Sequence, residues 1–196
     1  MIGAVNRARA VLTALLLTSA LGLAGCSDDD PEPAPAPPSS EPASPSTTAA
    51  SGPTPPEMPD AAKGTDAAAA EAFVRFYWDT VNYAQETGDL TGLQSLSSEA
   101  CDACRGGLRY LEDVFDRNGT IEGGDNSVSN IEVLGFVRHE GTYSDALLEL
   151  ELRATPQAVR FPDGADDERY AGGTTLVSMR VRLDGASPLV VSWSKR

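Results

Sequence analysis

Ala72–Asp89 reads AFVRFYWDTVNYAQETGD, and this stretch carries the most decisive pattern in the chain. Ala70, Phe73, Tyr77, Val81 and Ala84 recur at three- and four-residue steps, which places them on one face of a helix. Thr65 or Asp66 offers a side-chain cap at its start, and Gly88 supplies the residue that ends a helix without steric cost. Five of the chain's twelve aromatic residues (Phe73, Phe76, Tyr77, Trp78 and Tyr83) fall on this one element. That density predicts the central core helix.

Downstream, Leu90, Leu93 and Leu96 predict a short second helix. Ser97 or Ser98 offers a cap for a third helix to about Asn118, with Leu108, Leu111, Val114 and Phe115 inward and a break expected at Gly106-Gly107. The pattern then changes to alternation. Val128–His139 is read as a strand with Ile131, Val133 and Val137 on one face. Ala146–Ala154 sets Leu148, Leu150 and Leu152 against Glu149, Glu151 and Arg153. Thr174–Asp184 does the same with Val177, Met179, Val181 and Leu183, and Leu189, Val191 and Trp193 close the chain as a last strand. Pro156–Gly173 is read as a long loop carrying Phe161 and Tyr170. Polar outer faces on the strands predict an α+β domain with N-terminal helices on one curved antiparallel sheet.

Upstream, composition shifts abruptly: 11 of the 14 prolines lie between Pro31 and Pro59, and Met58 is the one large apolar side chain from Ser27 to Thr65. Such a segment buries too little surface to offset its ordering entropy, so a disordered tether is expected over 26–59, and a single domain over 60–196. Residues 1–25 have a basic start at Arg7 and Arg9 and an apolar run, Val11–Leu23, that would rise only roughly 20 Å as a helix. That falls short of the ~30 Å hydrocarbon core, so a cleaved signal is expected rather than a membrane span. Leu23-Ala24-Gly25-Cys26 resembles the lipobox of bacterial lipoproteins. The resemblance implies cleavage after Gly25 and a diacylglyceryl anchor on Cys26 at the extracytoplasmic face of the cell membrane. Loss of Arg7 and Arg9 with the signal moves the net charge from −14 to −16.

Met58-Pro59, the aromatic helix and LSSEACDAC at Leu96–Cys104 together resemble a family of uncharacterised actinobacterial lipoproteins. The order of helices and strands, with a Trp on the last strand, resembles the nuclear-transport-factor-2-like cone. These resemblances imply export and fold, and no activity.

Chemistry is sparsely represented. The acidity excludes nucleic acid, whose binding needs clustered cations. Cys101-Asp102-Ala103-Cys104 is the one intrinsically reactive motif. Outside the cytoplasm it is expected as a disulfide that staples the second helix to the third, with thiol–disulfide exchange as the alternative. His139, the only histidine, is read as an exposed turn residue, and Asp163–Glu168 as a solvated loop rather than a calcium site. No metal, cofactor or catalytic set is expected. Tyr77, Tyr83, Tyr110, Phe161 and Tyr170 are the candidate contacts for a small ligand or an envelope protein. The reading is therefore a binding or accessory domain, with a cone-fold enzyme using cavity Tyr or Asp as the alternative.

Overall fold

The computed structural model describes residues 52–139, 143–162, 164 and 167–196. The chain divides into Met1–Thr47 and Thr48–Arg196, and all described residues belong to the second unit. The signal, Gly25, Cys26 and the tether up to Ser51 lie outside the described residues, as do Asp163 and Asp166 of the acidic loop.

After a single 3-10 turn at Asp60–Ala62, helix α1 runs Ala67–Thr87. Asp66 caps it, its side chain accepting from the Ala69 N–H at 2.9 Å, and Gly88 ends it in the left-handed conformation at φ 75°. Phe73, Val74, Tyr77 and Trp78 are buried along one side. Helix α2 is Thr91–Ser95 and α3 is Asp102–Asp116. The third helix starts later than the serines suggested because Cys101 occupies the cap, its sulfur accepting from the Cys104 N–H. It also runs unbroken through Gly106-Gly107, where packing of Cys104, Leu111 and Val114 outweighs glycine's weak propensity.

Seven strands follow: β1 Thr120–Gly123, β2 Asn126–Arg138, β3 Ser144–Ala154, β4 Gln157–Arg160, β5 Glu168–Tyr170, β6 Gly173–Leu183 and β7 Leu189–Lys195. They pair antiparallel in two sheets, ordered β2-β3-β6-β7 and β1-β4-β5. The expected single curved sheet of an NTF2-like cone is thereby corrected. The molecule is a sheet-rich antiparallel fold with two sheets and few helices. The division arises because the expected Pro156–Gly173 loop contains β4 and β5, whose backbone groups bond to β1 and to each other rather than extending the larger sheet.

A sharp corner at Thr155-Pro156 turns the chain from one sheet to the other. The Thr155 hydroxyl accepts from the N–H groups of Gly124 and Asp125, both at 3.0 Å, and Gly123 and Gly172 pack so closely on the corner that a Cβ would lie 2.2 Å from Pro156 O or 2.6 Å from Ala154 O. Both glycines have positive φ, 70° and 73°, so sterics and conformation demand the same residue.

Inward positions of β3 and β6 are as the alternation predicted: Leu148, Leu150, Leu152, Val177, Met179, Val181 and Leu183 are buried against α1. Two strands depart from simple alternation. Register shifts in β2 between Ser129 and Glu132 and between Val133 and Gly135 leave Ile131 and Val133 against the core but turn Val137 outward, 40 % exposed. In β7 a shift beside Val191 puts fully buried Val190 opposite Val181, with Trp193 opposite Met179. A smaller core of Val114, Val159 and Phe161 lies between α3 and the small sheet, with Tyr110 and Ile121 packed against both cores.

Candidate functional site

A cleft of about 680 Å³ opens where α1, α3, the end of the large sheet and the β4–β5 hairpin meet. Its apolar wall is Trp78 and Val81 from α1, Leu152 from β3 and Trp193 from β7. A smaller apolar cavity of about 120 Å³ under α3 shares Trp78, Val81, Gln85, Tyr110 and Trp193 with it. The two indoles meet edge to face at 5.6 Å, an arrangement that suits the ring quadrupoles. Trp78 Nε1 is buried without a hydrogen-bond partner, the single such side-chain atom among the described residues. An unpaired buried donor costs about 1–3 kcal/mol, so this wall is less than fully satisfied by the protein itself.

The amides of the cleft are, by contrast, paired. Gln157 donates to Gln85 at 2.9 Å, and Asn126 exchanges hydrogen bonds with Asn82 at 2.8 Å. These bonds tie α1 to the strands that bound the cleft. Tyr110 and Tyr170 stand at its mouth, both donating to Glu168, at 3.0 and 2.7 Å. Burial, then the bonds to Tyr170 and Glu168, holds the Tyr110 phenol well above the ordinary range, while Tyr170 and then Tyr110 hold the Glu168 carboxyl below its own. Arg169 and Lys195 line the rim; Arg169 lies 3.6 Å from Asp167, and Lys195 has no partner among the described residues.

Of the five aromatic contacts expected from sequence, the structure brings Tyr110 and Tyr170 to the large cleft and Tyr77 to the small cavity. Tyr77 is buried, its hydroxyl 3.6 Å from Cys104 Sγ, and burial pushes its phenol up to about 12 against the opposing pull of hydrogen bonds with Ser97 and Trp193. Tyr83 lines neither cavity, and Phe161 is buried in the small core under the Arg117 guanidinium at 3.8 Å. Cys101 and Cys104 lie at disulfide distance, 2.05 Å, both buried. The pair closes the first turn of α3 and does not reach α2, which ends at Ser95.

Sequence reasoning missed Trp78, Trp193 and the two rim cations. The indoles were visible as a helix aromatic and a last-strand aromatic, but nothing local tells that they meet. It also passed over a cluster on the outer face of the large sheet. Asp145, on the face of β3 opposite Ala146, is fully buried among Arg180 at 2.7 Å, Arg182 at 3.3 Å and the His139 ring at 3.1 Å. His139 stacks on Tyr143 at 4.6 Å, so the expected free turn residue is a cross-strand partner. Among the described residues no group of three or more His, Cys, Asp or Glu is placed to hold a metal ion, and no helix is long and apolar enough to cross a membrane.

An antiparallel two-sheet domain with an aromatic cleft is the class that fold and site define. The chain belongs to a family of unknown function, DUF6318, whose model matches residues 38–175. No curated protein matches it. Among solved structures it is similar to the intermembrane-space region of the chloroplast protein ARC6, at 13 % identity and a TM-score of 0.45, over 67 % of this chain and 97 % of that one.

Proposed function

We propose that this protein is an exported, lipid-anchored binding or accessory domain of the cell envelope, of an actinobacterial lipoprotein family, held through Cys26 after cleavage at Gly25, with the aromatic cleft as its working surface. The observation that carries the binding reading is the cleft itself: aromatic walls, paired amides and an unpaired indole N–H around an open volume of about 680 Å³. Ligand sites are commonly concave, mostly apolar and set with a few polar groups. Acid–base catalysis by the tyrosines is disfavoured, because Tyr77 and Tyr110 are both pushed toward the protonated phenol. Thiol–disulfide exchange is disfavoured because a redox partner needs access to a sulfur, and both sulfurs are buried. The anchor rests on the Leu23–Cys26 motif and on the Pro-rich stretch that separates it from the domain. Two acyl chains give stable anchoring, at about 0.8 kcal/mol per buried CH₂.

Fractionation of bacteria expressing the chain tests the anchor. The native protein is expected in the membrane fraction at mature size, and Cys26→Ser is expected in the soluble exported fraction or as unprocessed precursor. Membrane retention of Cys26→Ser at mature size would refute it.

A further inference from the structure

We infer that the cleft selects a small amphipathic carboxylate, its apolar body against Trp78, Val81, Leu152 and Trp193 and its head at Lys195. This rests on the binding reading above and specifies the ligand class.

Charge distribution supplies the first argument. The chain carries 29 acidic residues against 15 Lys and Arg, yet no Asp or Glu lines the cleft, whereas Lys195 and Arg169 do. In a molecule of net charge −14, Asp167 and Glu168 stand behind Arg169 and the two phenols, so Lys195 is the one cation that faces the cleft without a carboxylate partner among the described residues. Glu168 is the acid nearest in the chain to this rim, and both of its phenol neighbours already donate to it.

Hydrogen-bond capacity supplies the second. Gln85, Gln157 and Asn126 are engaged with one another or with Asn82, and Tyr110 and Tyr170 spend their protons on Glu168. Arg169 shares its charge with Asp167. In the lining, this leaves the Lys195 ammonium as the charged group without a partner among the described residues, beside the Thr175 hydroxyl and Gln157 Oε1, while the Trp78 N–H is sealed within the wall. An unpaired ammonium beside an apolar wall calls for a ligand whose polar end is anionic and whose remainder is hydrocarbon or ring. A carboxylate meets the ammonium with a charge-assisted bond, which is stronger than a neutral alcohol achieves. An amine would meet two cations.

The molecule contains its own reporter. Trp78 and Trp193 are the only tryptophans in the chain and both line the cleft and the smaller cavity beside it, so tryptophan fluorescence reads these adjoining sites, and the Lys195→Gln variant below assigns the response to the cleft. The experiment titrates the Cys26→Ser protein recovered from the soluble exported fraction, which has no acyl chains and needs no detergent, with decanoate, 1-decanol and decylamine below their aggregation limits. Decanoate is expected to give a saturable emission change, with decanol at least about tenfold weaker and decylamine weaker still. Lys195→Gln, an exposed position whose variant is checked for native circular dichroism, is expected to lower decanoate affinity about tenfold and leave decanol unchanged. Equal binding of all three probes, or no effect of Lys195→Gln, would overturn the carboxylate selection while leaving a binding cleft in place. No response to any probe from a folded protein would overturn the amphipathic ligand class and, with it, this use of the cleft; the membrane fractionation stands independently of either result.

Discussion

Tyr77 shows how a single group takes its properties from where the helix puts it. Its ring is in the core, 3 % exposed, and burial raises the phenol to about 12. The unfolded chain gives up this proton near pH 10, whereas the folded chain keeps it, so stability is intact below about pH 10 and falls as the pH rises toward 12. The expected loss is about 1.4 kcal/mol per pH unit across that window. Urea unfolding at about pH 9, 10 and 11 measures it, and Tyr77→Phe should flatten the slope without abolishing it, because Tyr110 contributes in the same direction. An identical slope in the variant would show that Tyr77 ionises freely. The aromatic character of this position was legible in the sequence, from its spacing with Phe73 and Val81. The role of His139 was not. Its partner Asp145 is six residues on, across a strand pairing, and Arg180 and Arg182 reach the same carboxylate from β6. A buried carboxylate on β3, held by two guanidinium groups of β6 and the ring that follows β2, exists only once the register is fixed, and no local pattern announces it.

Elements with their own periodicity read well, and those defined by a partner read poorly. Helix α1 declares itself through a cap, an apolar stripe and a terminal glycine, all local. Strands β4 and β5 are four and three residues long and gain their identity by pairing with β1 and with each other, so their sequence resembles a loop. The shifts in β2 and β7 similarly defeat simple alternation, so Val137 leaves the face it shares in sequence with Ile131 and Val133, and Val190 rather than Val191 pairs with Val181. The corner between the sheets offers a direct test. Gly172→Ala places a methyl 2.6 Å from Ala154 O and 2.7 Å from Thr155 C, both backbone atoms, at a φ that alanine resists. Chemical denaturation should register a loss of about 1–3 kcal/mol. Gly106→Ala is the matched control: no atom lies within 4 Å of its new Cβ, and in the interior of α3 it should stabilise by up to about 1 kcal/mol. Equal effects of the two substitutions would mean that the corner is not strained in the way described.

At the scale of the whole molecule, two sheets and two cores raise the question of whether the parts unfold separately. Tyr110 and Ile121 pack against both cores, and α3 contributes Leu111 to one and Val114 to the other. Shared side chains of this kind couple the sheets, so a single cooperative transition is expected. Tryptophan fluorescence reports the large sheet and α1, while the tyrosine near-ultraviolet circular dichroism also senses Tyr110 and Tyr170 beside the small one. Coincident urea midpoints are expected; an earlier transition in the tyrosine signal would separate the β1-β4-β5 sheet from the rest. The sequence conveyed the succession of helices and long strands but led to a cone, because deciding between one sheet and two depends on the hydrogen-bond partners of the shortest strands. It also led to three of the aromatic residues at the two cavities, and missed the cationic rim for the same reason: Arg169 and Lys195 are brought together by topology alone.

The two borders of the large sheet are treated unequally. Along β7, the backbone at Val190 is already occupied by the chain before α3, donating to Leu96 O at 2.8 Å and accepting from the Ser98 N–H at 2.9 Å. The other border, β2, is thirteen residues long and exposes Leu134 and Phe136, the makings of a template onto which a second molecule could add a strand. Its two register irregularities interrupt the even ladder that such addition requires. What looked like disorder in the alternation of β2 therefore serves as protection: it keeps neighbouring copies from zipping together edge to edge, a hazard that grows wherever many copies are held side by side.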